Sequence, residues 1–191
     1  MHSISPFDKW LELYDSNEDE KSPFFQATYN EQFYEKTIYN YYIHPYWDDI
    51  ESDTLFVKLL FVDYRAHFAI IELIGEWNDV LHNDIMYLKR NVIDLLIKEG
   101  ITKYILITEN VLNYFYDDDS YYEEWYEDIS ESDGWIQLIN VQEHVAHEFL
   151  KSKSKYYVSV QSEEHYIDWR IMSAAKLFEL IDSGQLKKLG A

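Results

Sequence analysis

The chain has 191 residues, a length that fits one compact domain with an extension. It has no cysteine, which excludes disulfides and thiolate metal sites, and 16 Lys and Arg against 36 Asp and Glu give a net charge of −20. So acidic a chain repels phosphate backbones and anionic lipids, so we predict no nucleic-acid partner and no membrane partner. No stretch reaches the roughly 20 apolar residues of a membrane helix, and we expect a cytoplasmic protein.

The first 50 residues are rich in aromatic side chains. We predict that residues 1–50 form a lobe packed on a main domain over residues 51–191. Residues 5–15 fit a short helix, since a serine and a proline open it and its apolar residues recur at helical spacing. Residues 32–43 fit an extended strand.

Three apolar segments and one helix form the centre of the chain. Residues 55–62 and 68–74 are β-rich runs on either side of a short polar turn, and they predict an antiparallel hairpin. Residues 104–108 predict a third strand. Residues 79–99 have helical spacing, and Asn78 is in position to cap this helix. We predict that the three strands lie side by side in one sheet that the helix covers.

Strands and helices alternate through the rest of the chain. Residues 116–133 hold nine acidic residues and no basic residue, with aromatic side chains at helical spacing, and predict an acidic amphipathic helix. The later predicted elements are a strand over 135–139, a helix over 142–151, a strand over 156–160 and a helix over 169–181. Such alternation implies parallel pairing through right-handed crossovers. The predicted fold class is α/β, a mixed sheet with an N-terminal antiparallel hairpin followed by βα units, plus the aromatic-rich extension.

Four local patterns accompany this order of elements. They are Ile-Gly-Glu-Trp-Asn at 74–78, Gly100 between helix and strand, Leu-Ile-Asn-Val at 138–141, and Val-Gln-Ser-Glu-Glu at 160–164. Together they resemble the STAS family, the fold of anti-sigma-factor antagonists, over about residues 54–183. The resemblance implies a STAS-like fold and a regulatory domain that binds other proteins.

The STAS family also places Asp-Ser and a small residue at the start of the helix after the third strand, where the hydroxyl can be phosphorylated. The nearest match is Asp119-Ser120-Tyr121, about ten residues beyond the strand and flanked by acidic residues. The resemblance makes Ser120 a candidate phosphorylation site. A helix N-cap is the alternative role, because neighbouring carboxylates would oppose a phosphate.

Motifs of common enzyme classes are missing from the sequence. The five glycines cannot form a dinucleotide or Walker-type phosphate loop, so we predict no cofactor and no catalytic residue. His144 and His147 are three residues apart, whereas the zinc-protease pattern has ligands four apart with a glutamate between them. A solvated helix face is favoured there, and no metal site is predicted.

We predict a non-enzymatic domain that binds a protein partner through an acidic, aromatic-rich surface. Tyr121, Tyr122, Trp125 and Tyr126 are the expected contact residues, with carboxylates that attract a basic partner. Core packing is the alternative role for these aromatic residues.

Two further hypotheses remain open. One is a small hydrolase or transferase with a site at the carboxyl ends of the strands, where ligands bind in open α/β sheets. Its polar residues would be Glu109, Asn110, Asn140, Gln142 and Ser162. The other is an acidic mimic of nucleic acid. The sequence makes no prediction of the oligomeric state.

Overall fold

The computed structural model describes residues 2–30, 34, 36–161 and 166–184. A small sheet near the N-terminus consists of β1 (His2–Ile4), β2 (Thr37–Ile38) and β3 (Tyr41–Ile43), in the order β1-β3-β2. The main sheet consists of β4 (Asp48–Asp49), β5 (Leu55–Asp63), β6 (Phe68–Asn78), β7 (Lys103–Phe115), β8 (Trp135–Ile139) and β9 (Ser159–Val160). Its six strands lie in sequence order.

The helices join or flank these strands. A continuous helical rod comprises α1 (Asp84–Leu88), a π-helical segment (Lys89–Ile93) and α2 (Asp94–Lys98), and it links β6 to β7. The other α-helices are α3 (Ser120–Ser130), α4 (Glu143–Lys151) and α5 (Ala174–Asp182), and single 3₁₀ turns lie at Lys153–Tyr156 and Trp169–Ile171.

The pairing of the main sheet confirms the predicted fold class. β5 pairs antiparallel with β6, and β6, β7, β8 and β9 run parallel to one another. The segments predicted at 55–62, 68–74 and 104–108 are therefore neighbours in one mixed sheet. The helical rod packs on this sheet, since Leu88 and Val92 join Ile71 in the same buried cluster.

Both faces of the central strands are buried, as in other parallel sheets that helices cover on both sides. Alternate residues of β6 point to opposite faces. Ile71 and Leu73 face the helical rod, α3 and α4, whereas Phe68 and Ile70 face the N-terminal segment and α5. This explains why residues 68–74 are apolar at every position except Glu72.

The long helix begins later than predicted. The expected cap, Asn78, is the last residue of β6 and pairs with Phe115, and the rod begins at Asp84. The backbone N–H of Asn78 donates to Asp84 Oδ2 at 2.6 Å, and the backbone N–H of Leu81 donates to the side-chain oxygen of Asn78 at 3.0 Å. The polar groups that suggested a helix start instead hold a turn over 79–83.

β7 is longer than the predicted 104–108, because it continues along β6 after its pairing with β8 ends at Ile107. Two side chains from the start of α4 bond to carbonyl groups on this free edge. Gln142 Nε2 donates to the Glu109 carbonyl at 3.0 Å, and His144 Nε2 donates to the Leu112 carbonyl at 2.6 Å. This edge therefore tolerates the polar residues that hid the strand from sequence analysis.

The helix predicted over 5–15 is wrong, because the structure has turns there. The Phe7 N–H donates to the Glu72 carboxylate at 2.9 Å, and the Trp10 indole donates to the Met172 carbonyl at 3.1 Å. Both partners lie far along the chain. The predicted strand over 32–43 is two short strands, β2 and β3, with residues 31–33 and 35 outside the described part.

Two further boundaries near the C-terminus differ from prediction. The strand expected over 156–160 is shortened to Ser159–Val160 by a 3₁₀ turn before it. The last helix begins at Ala174 rather than 169, with the Ser173 side chain accepting the Lys176 N–H as its cap at 3.3 Å. Ser162 lies outside the described residues.

The first 50 residues contribute to the main core. Phe24 joins the cluster on the helical-rod face, Trp10 joins the cluster on the α5 face, and β4 is an edge strand of the main sheet. The division into two domains at residue 50 stays a prediction. Among the described residues, the helices are too short or too polar to cross a bilayer.

Candidate interaction surface and buried polar groups

Helix α3 carries the predicted contact residues, and the structure divides them between core and surface. Tyr122 and Trp125 are fully buried, and Trp125 meets Tyr104 edge to face with ring centroids 5.1 Å apart. Tyr121 is partly buried against the same core, and 38% of Tyr126 is exposed. The expectation that Tyr122 and Trp125 are exposed contacts is therefore wrong, because helical spacing turns them onto the sheet.

The acidic residues of α3 that face the helical rod form ion pairs with cations of the rod. Lys89 is fully buried, and its ammonium lies 2.8 Å from Asp128 and 3.6 Å from Glu124 and also bonds Asp94. The π-helical segment places Lys89 and Asp94, five residues apart, on one side of the rod. Arg90 forms a two-pronged ion pair with Glu124, at 2.6 and 2.7 Å.

These contacts also decide the chemistry of the carboxylates. Oxygens of Asp94, Glu124 and Asp128 lie within 4.8 Å of one another, which is a spacing that could hold a metal ion. The Lys89 ammonium already supplies the positive charge among them. The hydrogen bond from Arg90 lowers the pKa of Glu124, and the pKa of Asp94 is also lowered because the hydrogen bonds and charges of Lys89 and Arg90 outweigh its burial.

The outer side of α3 is different. We call the exposed residues Ser120, Glu123, Tyr126, Glu127 and Glu131 the α3 surface. Its three glutamates make no ion pair with any residue that the structure describes. The acidic helix was predicted correctly from the sequence. Which of its carboxylates pair with Lys89 and Arg90 could not be predicted, because those contacts depend on the fold.

Ser120 is the first residue of α3, and Asp119 is the N-cap, so the predicted capping role is wrong by one position. The Ser120 hydroxyl donates to Asp118 Oδ1 at 2.5 Å, and this bond lowers the pKa of Asp118. The side chain is exposed. Phosphorylation of Ser120 stays a prediction.

The carboxyl ends of the strands carry a network of polar groups. Asn140 bonds the Ile167 backbone through both ends of its amide, at 2.9 Å each, and Tyr166 donates to Glu109 at 3.2 Å. Arg170 bonds Glu109 and lies 3.2 Å from Glu72. Of the residues predicted here, Glu109, Asn140 and Gln142 do share this network. Asn110 is part of β7 opposite Ile74.

Glu72 is the most unusual member of this network, because it is fully buried in the middle of β6. Burial raises its pKa to about 7, and the charge of Glu109 adds to this, while the Phe7 N–H and Arg170 oppose it. A carboxylate with a raised pKa is what the enzyme hypothesis requires. However, substrate could reach this one only if Arg170 and the N-terminal segment moved.

A second buried carboxyl supports the start of the helical rod. Asp79 accepts the Ile85 N–H at 2.9 Å and the Tyr122 hydroxyl at 2.6 Å. Burial raises the pKa of Asp79 to about 7, with the nearby Asp84 adding to the effect. These bonds tie the turn over 79–83 to α3.

The two histidines of α4 have separate surroundings. His144 bonds the free edge of β7, as described above, whereas His147 is exposed and lies 3.8 Å from Glu148. The bond to a carbonyl requires a proton on His144 Nε2. This agrees with the interpretation of the segment as a helix face.

Comparison with models of known protein families finds no match, and neither does comparison with curated proteins. The resemblance to the STAS family stays a prediction.

Proposed function

We propose that this chain is a protein-binding domain whose contact site is the α3 surface, and that its partner presents a basic patch. The observation that supports the proposal is that the carboxylates on the inner side of α3 have ion-pair partners among the described residues and those on its outer side do not. Lys89 and Arg90 form ion pairs with the inner carboxylates Glu124 and Asp128, while Glu123, Glu127 and Glu131 face outwards without a cation from any described residue.

Repulsion within the free protein favours a basic partner. Three like charges one turn apart along a helix destabilise it slightly, and a cationic partner would remove that repulsion. The net charge of −20 extends the attraction beyond the contact itself and speeds association. The resemblance to regulatory STAS domains adds to the case for a protein partner.

Tyr126 supplies the apolar contact that charge alone cannot. Its ring lies 6.1 Å from the ring of Tyr157 and is 38% exposed, so it is partly held in place before binding. Tyrosine is enriched among residues that dominate binding energy, because a rigid ring buries a large area at low entropic cost.

The test is affinity capture from the source cell with charge-reversed variants. The first variant combines Glu123→Lys, Glu127→Lys and Glu131→Lys. The matched control combines Glu12→Lys, Glu18→Lys and Glu20→Lys, which are exposed glutamates of the N-terminal segment. Each triple variant changes the net charge from −20 by three times +2, to −14.

We expect the wild type and the control to retain the same basic protein and the α3 variant to lose it. Quantitative mass spectrometry of the captured proteins measures the difference. If both variants lose the partner equally, overall charge and not the α3 surface is responsible, and the proposal fails.

A further inference from the structure

A cavity lies between the N-terminal segment and the β4–β5 side of the main sheet. Its volume of about 390 Å³ falls in the range of roughly 300 to 1,000 Å³ that is typical of small-molecule sites. Its lining residues include Phe7, Asp8, Asp15, Tyr29, Tyr46 and Lys58. It does not include any part of the α3 surface.

The cation that lines this cavity is already neutralised. Lys58 and Asp48 are both buried, and the Lys58 ammonium lies 3.1 Å from the Asp48 carboxylate and 3.0 Å from the Tyr29 hydroxyl. Tyr29 also bonds Asp48, and the Lys58 ammonium lies 4.4 Å from the centroid of the Tyr29 ring. This ion pair contributes no net charge to the cavity.

The remaining charged lining is acidic, and the walls are aromatic. Asp8 and Asp15 make no ion pair with a described residue, and Asp15 Oδ1 accepts the Asn17 N–H at 2.9 Å. The rings of Tyr29 and Tyr46 meet edge to face, 5.7 Å apart, and His44 lies 4.9 Å from Tyr46. Aromatic faces with nearby carboxylates are the environment that binds organic ammonium groups.

We propose that this cavity binds a small organic cation with a primary or methylated ammonium group. Such a ligand would place its charge against the ring of Tyr46 and near the carboxylates of Asp8 and Asp15, since Lys58 already occupies the Tyr29 ring. An anion would be repelled by the same two carboxylates. A neutral ligand would remove water from the two carboxylates without supplying a positive charge to compensate them.

Calorimetric titration of the full chain tests this binding. The probes are choline, 1,4-diaminobutane and the uncharged choline isostere 3,3-dimethylbutan-1-ol, in about 0.15 M NaCl to screen general surface attraction. We expect saturable binding of one cation per chain and no binding of the alcohol. Tighter binding of choline assigns the methylated class, and tighter binding of 1,4-diaminobutane assigns the primary amines.

Three variants locate the site. Tyr46→Leu and Asp15→Asn should each weaken binding about tenfold, because each removes one attraction for the cation. Tyr156→Leu, at an exposed tyrosine that does not line this cavity, should bind as the wild type does. Circular dichroism checks that each variant is folded.

Several results would overturn the proposal. They are failure of both cations to saturate, equal binding of the alcohol, or wild-type affinity in both Tyr46→Leu and Asp15→Asn. If the capture experiment finds no partner for the α3 surface, the binding of the organic cation is still tested by calorimetry, since the two sites share no residue.

Discussion

Two charged side chains inside the core show how residues far apart in sequence hold this fold together. Lys89 is enclosed by carboxylates from its own rod and from α3, and Glu72 is held by Phe7 and by Arg170, 98 residues later. A buried charge without its partners costs several kcal/mol, so these positions are sensitive to substitution.

Replacing Lys89 by methionine should destabilise the protein by about 2 to 3 kcal/mol, since the carboxylates it neutralises would repel one another. This is less than for a fully buried pair, because Glu124 and Asp128 are partly exposed and water screens them. Urea unfolding monitored by tryptophan fluorescence measures the change. Lys151→Met removes an exposed ion pair with Glu148 and should cost less than about 0.5 kcal/mol; equal losses would contradict this account.

Glu72 should make stability depend on pH. Its pKa of about 7 in the folded chain lies above the ordinary value of 4.5, so between these values the folded state binds more protons than the unfolded state. Stability contributed by this group therefore falls as pH rises from about 4.5 to 7.

In wild type, the free energy of unfolding should fall between about pH 5 and about pH 7.5, and the variant Glu72→Gln should reduce this fall by about 1 to 3 kcal/mol. Urea unfolding at the two pH values measures the difference. Glutamine keeps an acceptor for the Phe7 N–H. Lys151 lowers the pKa of Glu148, so Glu148→Gln should leave the loss unchanged across this window. An identical pH dependence in wild type and Glu72→Gln would show that Glu72 ionises normally.

The sequence held part of this information. Glu72 stands out as one charge in an apolar run of seven residues, which indicates a buried group with a partner. Arg170 gave no corresponding signal, because nothing local connects it to a strand so distant in sequence. Lys89 likewise fits an ordinary helix until the fold brings Asp128 beside it.

At the scale of elements, hydrophobic periodicity predicted the buried face of the central helix but not where the helix begins. The helical spacing over 79–99 predicts one buried stripe of Leu81, Ile85, Leu88, Val92, Leu95 and Leu96. Ile85, Leu88, Val92 and Leu96 are buried, whereas Leu95 is 38% exposed and Leu81 lies before the rod and is 77% exposed. The start of the rod was missed because Asn78 and Asp79 suit either a helix cap or a turn.

The N-terminal segment was mispredicted for a different reason. Phe7, Trp10 and Trp169 pack edge to face with centroids 4.7 to 5.7 Å apart, so the shape of residues 5–15 depends on a residue far along the chain. Apolar spacing in such a segment reflects its contacts and not a helix.

Two neighbouring aromatic residues of α3 should respond differently to alanine. Trp125→Ala empties a fully buried site and should cost about 3 to 5 kcal/mol in the free energy of unfolding. Tyr126→Ala should cost less than about 1 kcal/mol, because the ring is partly exposed. Chemical denaturation of both variants checks this, and a large loss for Tyr126→Ala would assign that ring to the core.

At the scale of the molecule, charge is the dominant property. A net charge of −20 on one chain produces self-repulsion that weakens the folded state, and salt screens it. We expect the thermal unfolding midpoint to rise by several degrees between about 20 mM and about 0.5 M NaCl.

The triple variant at Glu12, Glu18 and Glu20 serves as the control for this effect. With a net charge of −14 it should show a smaller rise than the wild type. If the thermal unfolding midpoint of both proteins stays constant with salt, self-repulsion does not weaken the folded state, because ion pairs and bound counter-ions already balance the charge.

We propose that the α3 surface contacts a basic partner protein. Site-specific photo-crosslinking in the source cell tests it most directly, with the photoreactive residue placed at Tyr126 and, as a control, at Tyr166, which is 67% exposed at the carboxyl edge of the sheet. We predict one dominant crosslinked protein of basic character from position 126 and none of it from position 166. The same adduct from both positions, or no adduct from position 126, would contradict the account.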